Sequence, residues 1–223
     1  MSISRKVTIT CPKCKKVSEF TVWDSINTGL DPQLKQCARD GSLFRFTCPH
    51  CGAEDHVEYG FIYHQMEDRV MLQVVISDEE AKHALNMQKD QRLIQIQKEL
   101  QLDQYHYLNR IVVTQNRMRE KLAILDSGLD DRLMEIYKVY LLAKYREKQP
   151  DDREAELIYF LSDKGEKGFQ ILPDRGPRYI VFNQGFYDKL SEMYSGDLKP
   201  MREDGPIIDR RWAERFLTAQ KGK

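Results

Sequence analysis

Four cysteines fall in two short pairs, Cys11-Pro12-Lys13-Cys14 and Cys48-Pro49-His50-Cys51. Cysteines three apart reach one ion only if the chain between them turns tightly. Proline supports such a turn, because its φ is already set and it has no N–H to satisfy. The amides after Pro12 and Pro49 are then free to point back at the first sulfur of each pair. Gly52, after Cys51, can take a left-handed conformation at no steric cost. Lys15 holds the same place after Cys14, so that turn is expected to be about 1 kcal/mol less comfortable. Four soft ligands suit a tetrahedral ion, which predicts one structural zinc per chain on Cys11, Cys14, Cys48 and Cys51. Such a sphere is closed, so the zinc is not expected to be catalytic.

Other chemistries compete for the same thiols. Disulfides need an oxidising compartment, and the chain starts with a short polar segment rather than an apolar leader core. A thioredoxin-like pair needs a CxxC at the mouth of a helix, whereas β-type sequence follows both pairs here. A redox-switched zinc site remains open, since oxidation of thiolates expels the metal. Cys37 is read as a small buried residue of a short helix beside Leu34 and Ala38. His50, inside the second turn, is read as a bystander to a complete ligand set, with His56 and His64 nearby.

The elements that must position these sulfurs are mostly strands. Lys6–Thr10 enters the first turn and Val17–Trp23 leaves it, with Thr28-Gly29 as a break. Asp31 is expected to cap a helix that has Pro32 at its first position and stops at Asp40-Gly41. Leu43–Thr47 then leads into the second turn. Two β runs follow, Glu54–Tyr63 and Arg69–Ile76. Strands this short carry too little apolar surface to stand unaided, which is where a metal would contribute.

CPKC, the segment SINTGLDPQLKQ at Ser25–Gln36, DGSLFRFTCPHCG at Asp40–Gly52 and the strand to Tyr63-His64 together resemble the CpXC-domain proteins. The likeness is specific over residues 9–77 and looser to about 140, where LDSGLDDRLMEIYK at Leu125–Lys138 resembles longer members. The resemblance implies a bacterial protein with a metal-binding pair of motifs on Cys11, Cys14, Cys48 and Cys51. It implies no activity.

Further along, Ser77-Asp78-Glu79-Glu80 is a capping box. It opens a helix toward Leu102 whose apolar face (Ala81, Ala84, Leu85, Leu93, Ile96, Leu100) is uneven. Tyr107–Val113 reads as a strand, and Thr114 as the cap of a helix over Gln115–Asp126. Leu129–Arg146 is amphipathic, with Leu133, Ile136, Tyr137, Tyr140, Leu141 and Lys144 on one stripe. Past Gln149-Pro150, strands are expected at Glu156–Leu161, Gly168–Pro173 and Arg178–Asn183. Helices are expected at Phe186–Tyr194 and Asp209–Ala219, and this lobe should pack on the amphipathic helix.

The expected fold class is therefore α+β. A zinc-ribbon-like antiparallel β module (1–76) precedes a helical middle (77–148) and an α+β C-terminal lobe (149–223). Across 223 residues, 35 Lys and Arg balance 35 Asp and Glu. That neutrality weakens a nucleic-acid role, which needs a positive surface, though Lys13, Lys15 and Lys16 around the first turn could touch phosphates. No apolar run is long enough to cross a bilayer, and reduced cysteines suit the cytoplasm. HExxH, GxSxG, P-loop and strand-borne GxGxxG motifs are all missing from the sequence. The function expected is non-enzymatic: a zinc-stabilised module presenting a surface to a protein partner. Phe44, Phe46, Phe61 and Tyr63 are the aromatic candidates for that surface, with core packing as their alternative role.

Overall fold

The computed structural model describes residues 2–99, 106–151, 155–172, 178–200 and 203–220, apart from the side chains at 93, 97 and 172. Contacts group the chain into two compact units, 1–119 and 120–223. Three segments were expected. The middle one is shared between the units, because its strand joins the first sheet while its long helix builds the second core.

In the first unit, β1 (Ile3–Thr10) and β2 (Val17–Asn27) form an antiparallel hairpin around the first cysteine turn. Helix α1 (Gln33–Asp40) follows. Its first turn closes on backbone carbonyls, with Leu34 N–H donating to Asp31 O at 3.0 Å and Lys35 N–H to Pro32 O at 3.1 Å. The expected Asp31 side-chain cap is therefore not used, and Pro32 stands at the cap position instead. Gly41 ends α1 in the left-handed region, φ 80°. A 3-10 turn over Ser42–Phe44 takes the first residues of the expected Leu43 strand, leaving β3 as Arg45–Thr47. It pairs antiparallel with β4 (Glu54–His56) around the second cysteine turn.

The expected Glu54–Tyr63 run divides between two sheets. After β4 the Val57 N–H leaves the ladder to donate to Phe44 O at 2.8 Å. Gly60 then passes so close to the neighbouring chain that a Cβ there would lie 2.9 Å from Val74 O. Beyond it come β5 (Phe61–Gln65), β6 (Val70–Val75) and, later, β7 (Leu108–Val113). The sheet order is β1-β2-β5-β6-β7. The hairpins β1–β2 and β5–β6 are antiparallel, as expected of a ribbon-like module, while β2–β5 and β6–β7 are parallel. Parallel neighbours need long crossovers. One carries α1 and the second cysteine turn. The other carries α2 (Asp78–Gln88) and α3 (Gln91–Glu99).

The capping box at the start of α2 forms. Glu80 N–H donates to Ser77 Oγ at 3.1 Å, and the Glu80 carboxylate accepts from Ile76 N–H at 3.0 Å. Asp90 interrupts the expected single helix by accepting the Arg92 N–H at 2.8 Å. Leu100 and Leu102, expected at its end, lie outside the described residues, as does the side chain of Leu93. Phe44, Phe46, Phe61 and Tyr63 are all buried. The sequence's aromatic candidates for a surface are thus core residues: alternation turns Phe46, Phe61 and Tyr63 into the unit, and Phe44, at the end of the 3-10 turn, packs against the Phe61 ring at 5.6 Å.

α4 (Gln115–Asp126) begins in the first unit and ends in the second. There it is followed by α5 (Asp131–Lys148), capped by Asp130, whose carboxylate accepts Arg132 N–H. Antiparallel strands β8 (Glu156–Leu161), β9 (Lys167–Leu172) and β10 (Arg178–Val181) form a sheet with β9 central, and Pro173 lies outside the described residues. α6 (Gln184–Tyr194) and α7 (Arg210–Gln220) complete the unit. As expected, the lobe packs on α5: Leu133, Ile136 and Tyr137 join Leu157, Tyr159, Phe169, Ile171, Leu190 and Ala213 in one core.

The stripe itself is only half right. Tyr140 and Lys144 are exposed, while Asp131, Arg132, Glu135 and Lys138 are buried with the apolar residues around them. Charges can enter a core when they are paired, and pairing cannot be read from hydropathy.

Candidate metal centre

Each cysteine pair sits on a turn closed by the same two backbone bonds. In the first, Lys15 N–H donates to Cys11 O at 3.0 Å and Cys11 N–H to Lys16 O at 2.9 Å. In the second, Gly52 N–H donates to Cys48 O at 2.9 Å and Cys48 N–H to Ala53 O at 2.8 Å. The turns are therefore structural duplicates, one on the β1–β2 hairpin and one on β3–β4.

Packing holds the hairpins together from behind. Phe46 is buried against Cys11 and Cys48, with Ile9, Phe20, Ala53 and Val57 around them. The Phe20 and Phe46 rings meet edge to face at 6.0 Å. Phe46 lies two residues before Cys48, so strand alternation alone puts it on the face of the sulfur. The matching role of Phe20 carries no such local signal, since only the tertiary pairing of the hairpins brings it there.

The four sulfurs all lie within 4.8 Å of one another. Cys11 Sγ is 3.7 Å from Cys51 Sγ, and Cys14 Sγ is 3.6 Å from Cys48 Sγ. Both close pairs run between hairpins, not within a pair. A zinc ion bonded to four sulfurs at about 2.3 Å requires sulfur–sulfur edges of about 3.8 Å. The donor set therefore fits a tetrahedral thiophilic ion in identity, number and spacing. Four cysteines placed this way could hold a metal ion.

A family model, described as CpXC protein, matches residues 9–138, more than half of the chain. The chain belongs to the CpXC family. No curated protein and no solved structure matches it.

The CpXC cysteines differ in their surroundings. Cys11 and Cys48 are buried, Cys14 is half-buried and Cys51 is exposed. The amides of Cys14 and then Lys13 point at the Cys11 sulfur and hold its pKa down at about 6. This is the arrangement expected of the residue after Pro12. At Cys14 the Lys16 amide pulls the same way. Burial and the neighbouring sulfurs outweigh it and push that thiol up to about 11. One sulfur thus ionises readily and the next resists, because negative charge accumulates in a confined space. A bound dication would relieve that crowding, which is the electrostatic task the site sets.

The bystanders stay outside. Among the described residues, the metal-competent group consists of Cys11, Cys14, Cys48 and Cys51. Cys37 lies half-buried on α1. His50 is exposed on the second turn. His56 packs against the Phe44 ring at 5.9 Å. His64 is engaged elsewhere in the sheet, its Nε2 2.9 Å from Tyr107 Oη. Among the described residues, no helix is long and apolar enough to cross a membrane.

Proposed function

We propose that Cys11, Cys14, Cys48 and Cys51 hold one zinc ion per chain, that its role is architectural, and that the CpXC module is a non-enzymatic platform for a protein partner in the cytoplasm. The observation that carries the zinc reading is the pair of inter-hairpin sulfur distances, 3.7 and 3.6 Å, which lie close to the tetrahedral edge of about 3.8 Å. Four sulfurs fill the sphere, so no position is left for water or substrate. The ion cross-links β1–β2 to β3–β4, two hairpins that share a core of few side chains. With the four large aromatics buried, partner contact falls to exposed apolar residues of this unit, among them Val17, Leu30, Ile62 and Met66.

A second reading, nucleic-acid binding, draws on Lys13, Lys15 and Lys16, which are all exposed on the first turn. One zinc with four thiolates carries two net negative charges, however, and those lysines lie beside it. They are better read as counter-charges to the centre. Elemental analysis with X-ray absorption on the purified chain tests the main reading: one zinc per chain with sulfur-only coordination is expected. An oxygen in the coordination sphere would refute the closed site. Salt-sensitive binding of DNA or RNA would favour the second reading, and no binding at low salt removes it.

A further inference from the structure

The second unit buries a cluster of charges on α4 and α5, beside a buried Arg132 that is held by Asp130 and Asp204 instead. Glu120, Lys121, Asp131, Glu135 and Lys138 are all buried, which sets three carboxyl groups against two ammonium groups. Lys138 Nζ lies 2.8 Å from Glu120 Oε1 and 2.8 Å from Glu135 Oε1. Lys121 Nζ lies 2.9 Å from Asp131 Oδ2 and also donates to the Ile208 carbonyl at 3.1 Å.

The three acids are not equivalent. Glu120 Oε1 accepts both the Lys138 ammonium and the Tyr159 N–H, at 2.8 Å each. Asp131 accepts from Lys121 and sits in the first turn of α5, where the helix amides favour negative charge. Glu135 lies a turn further in and must share Lys138 with the better-held Glu120. Among the described residues, the charged groups that act on it are Lys138 on its own helix and Glu120 and Lys121 on α4. From β8 the Tyr159 amide is taken by Glu120, and the Ile208 carbonyl ahead of α7 is taken by Lys121. A buried carboxylate with half a counter-ion is costly, and taking up a proton removes that cost. Burial is indeed the leading influence on Glu135 and raises its pKa, with Glu120 adding to the effect and Lys138 and Lys121 opposing it.

We propose that Glu135 holds a proton in the folded protein at neutral pH, making the second unit a pH-sensitive body that is tightest while that proton is bound. The unfolded chain gives this proton up near pH 4.3. Between there and the folded midpoint the native state binds more protons, so stability falls as pH rises. The proton leaves to solvent, and Glu135 then competes with Glu120 for one ammonium.

The test uses the full-length, metal-loaded chain. The infrared carbonyl band of a protonated carboxyl is expected at pH 7 in the wild type and is lost in Glu135→Gln. The thermal midpoint of the wild type should drop relative to Glu135→Gln as pH rises from about 5. Subtracting one protein from the other cancels groups common to both. Glu120→Gln, which removes a held carboxylate, should lower the midpoint at every pH. Parallel midpoint curves for wild type and Glu135→Gln overturn the proposal. If Glu135→Gln does not fold, the wild-type spectrum decides alone: no protonated carboxyl band at pH 7 overturns it.

Discussion

Lys15 and Gly52 share one left-handed backbone conformation, φ 60° and 70°, each one residue past the second cysteine of its turn. The turns are closed by equivalent hydrogen bonds, so both positions face the same steric demand with different side chains. Lys15→Gly should stabilise the metal-loaded protein by about 1 kcal/mol, since glycine removes the Cβ clash and the exposed lysine loses little packing. Gly52→Lys should destabilise it by a similar amount. Denaturant midpoints at fixed zinc concentration measure both, and unchanged midpoints would mean the turns carry no strain.

Cys48→Ser should lose the metal and the ordered structure of the cysteine hairpins, because the buried sulfur and its Phe46 contact form the centre of that small core. Cys37→Ser should keep zinc at one per chain. Metal-to-protein ratios with near-UV circular dichroism decide it. Equal loss from the two variants would overturn the ligand assignment.

In the second unit Gly168 has no room for a side chain. A Cβ there would lie 2.9 Å from Ile180 O and 2.9 Å from the Phe160 ring. Gly168→Ala should cost about 1–3 kcal/mol through overpacking, because the backbone of the neighbouring strand cannot move aside as a side chain could. A thermal midpoint within error of wild type would show that Phe160 and the strand yield freely.

His64 should titrate below 6.5, its ordinary value. Burial is the leading cause and lowers its pKa, since the ring lies against Tyr107 with little room for hydrating its charged form. The folded pKa is depressed, so the stability His64 contributes is present above pH 6.5 and is lost as pH falls through the folded midpoint. Imidazole NMR shifts against pH give that midpoint directly, and a value above 6.5 would contradict this account.

The two cysteine turns could be read in advance because CPKC and CPHC are local patterns. Two cysteines and a proline within four residues state a turn wherever the rest of the chain goes. The Ser77–Glu80 cap, the extent of β8 and, to within one residue at its start, that of β7 were legible for the same reason. The Asp31 side chain is not the cap that Asp31-Pro32 suggests, since a backbone carbonyl can close a first turn as well as a carboxylate. The Glu54–Tyr63 run looked continuous because alternation does not record which sheet a strand joins.

From the sequence alone came the two cysteine turns, the family, and the alternation of β and α elements, all of which depend on neighbours a few residues apart. Tertiary structure decided that β2 lies parallel to β5, that the sulfurs pair across hairpins, and that Asp131, Glu135 and Lys138 enter a core. The first two outcomes depend on partners tens of residues away and the third on partners that α4 brings against α5, since a charge is buried or solvated according to what meets it across the fold.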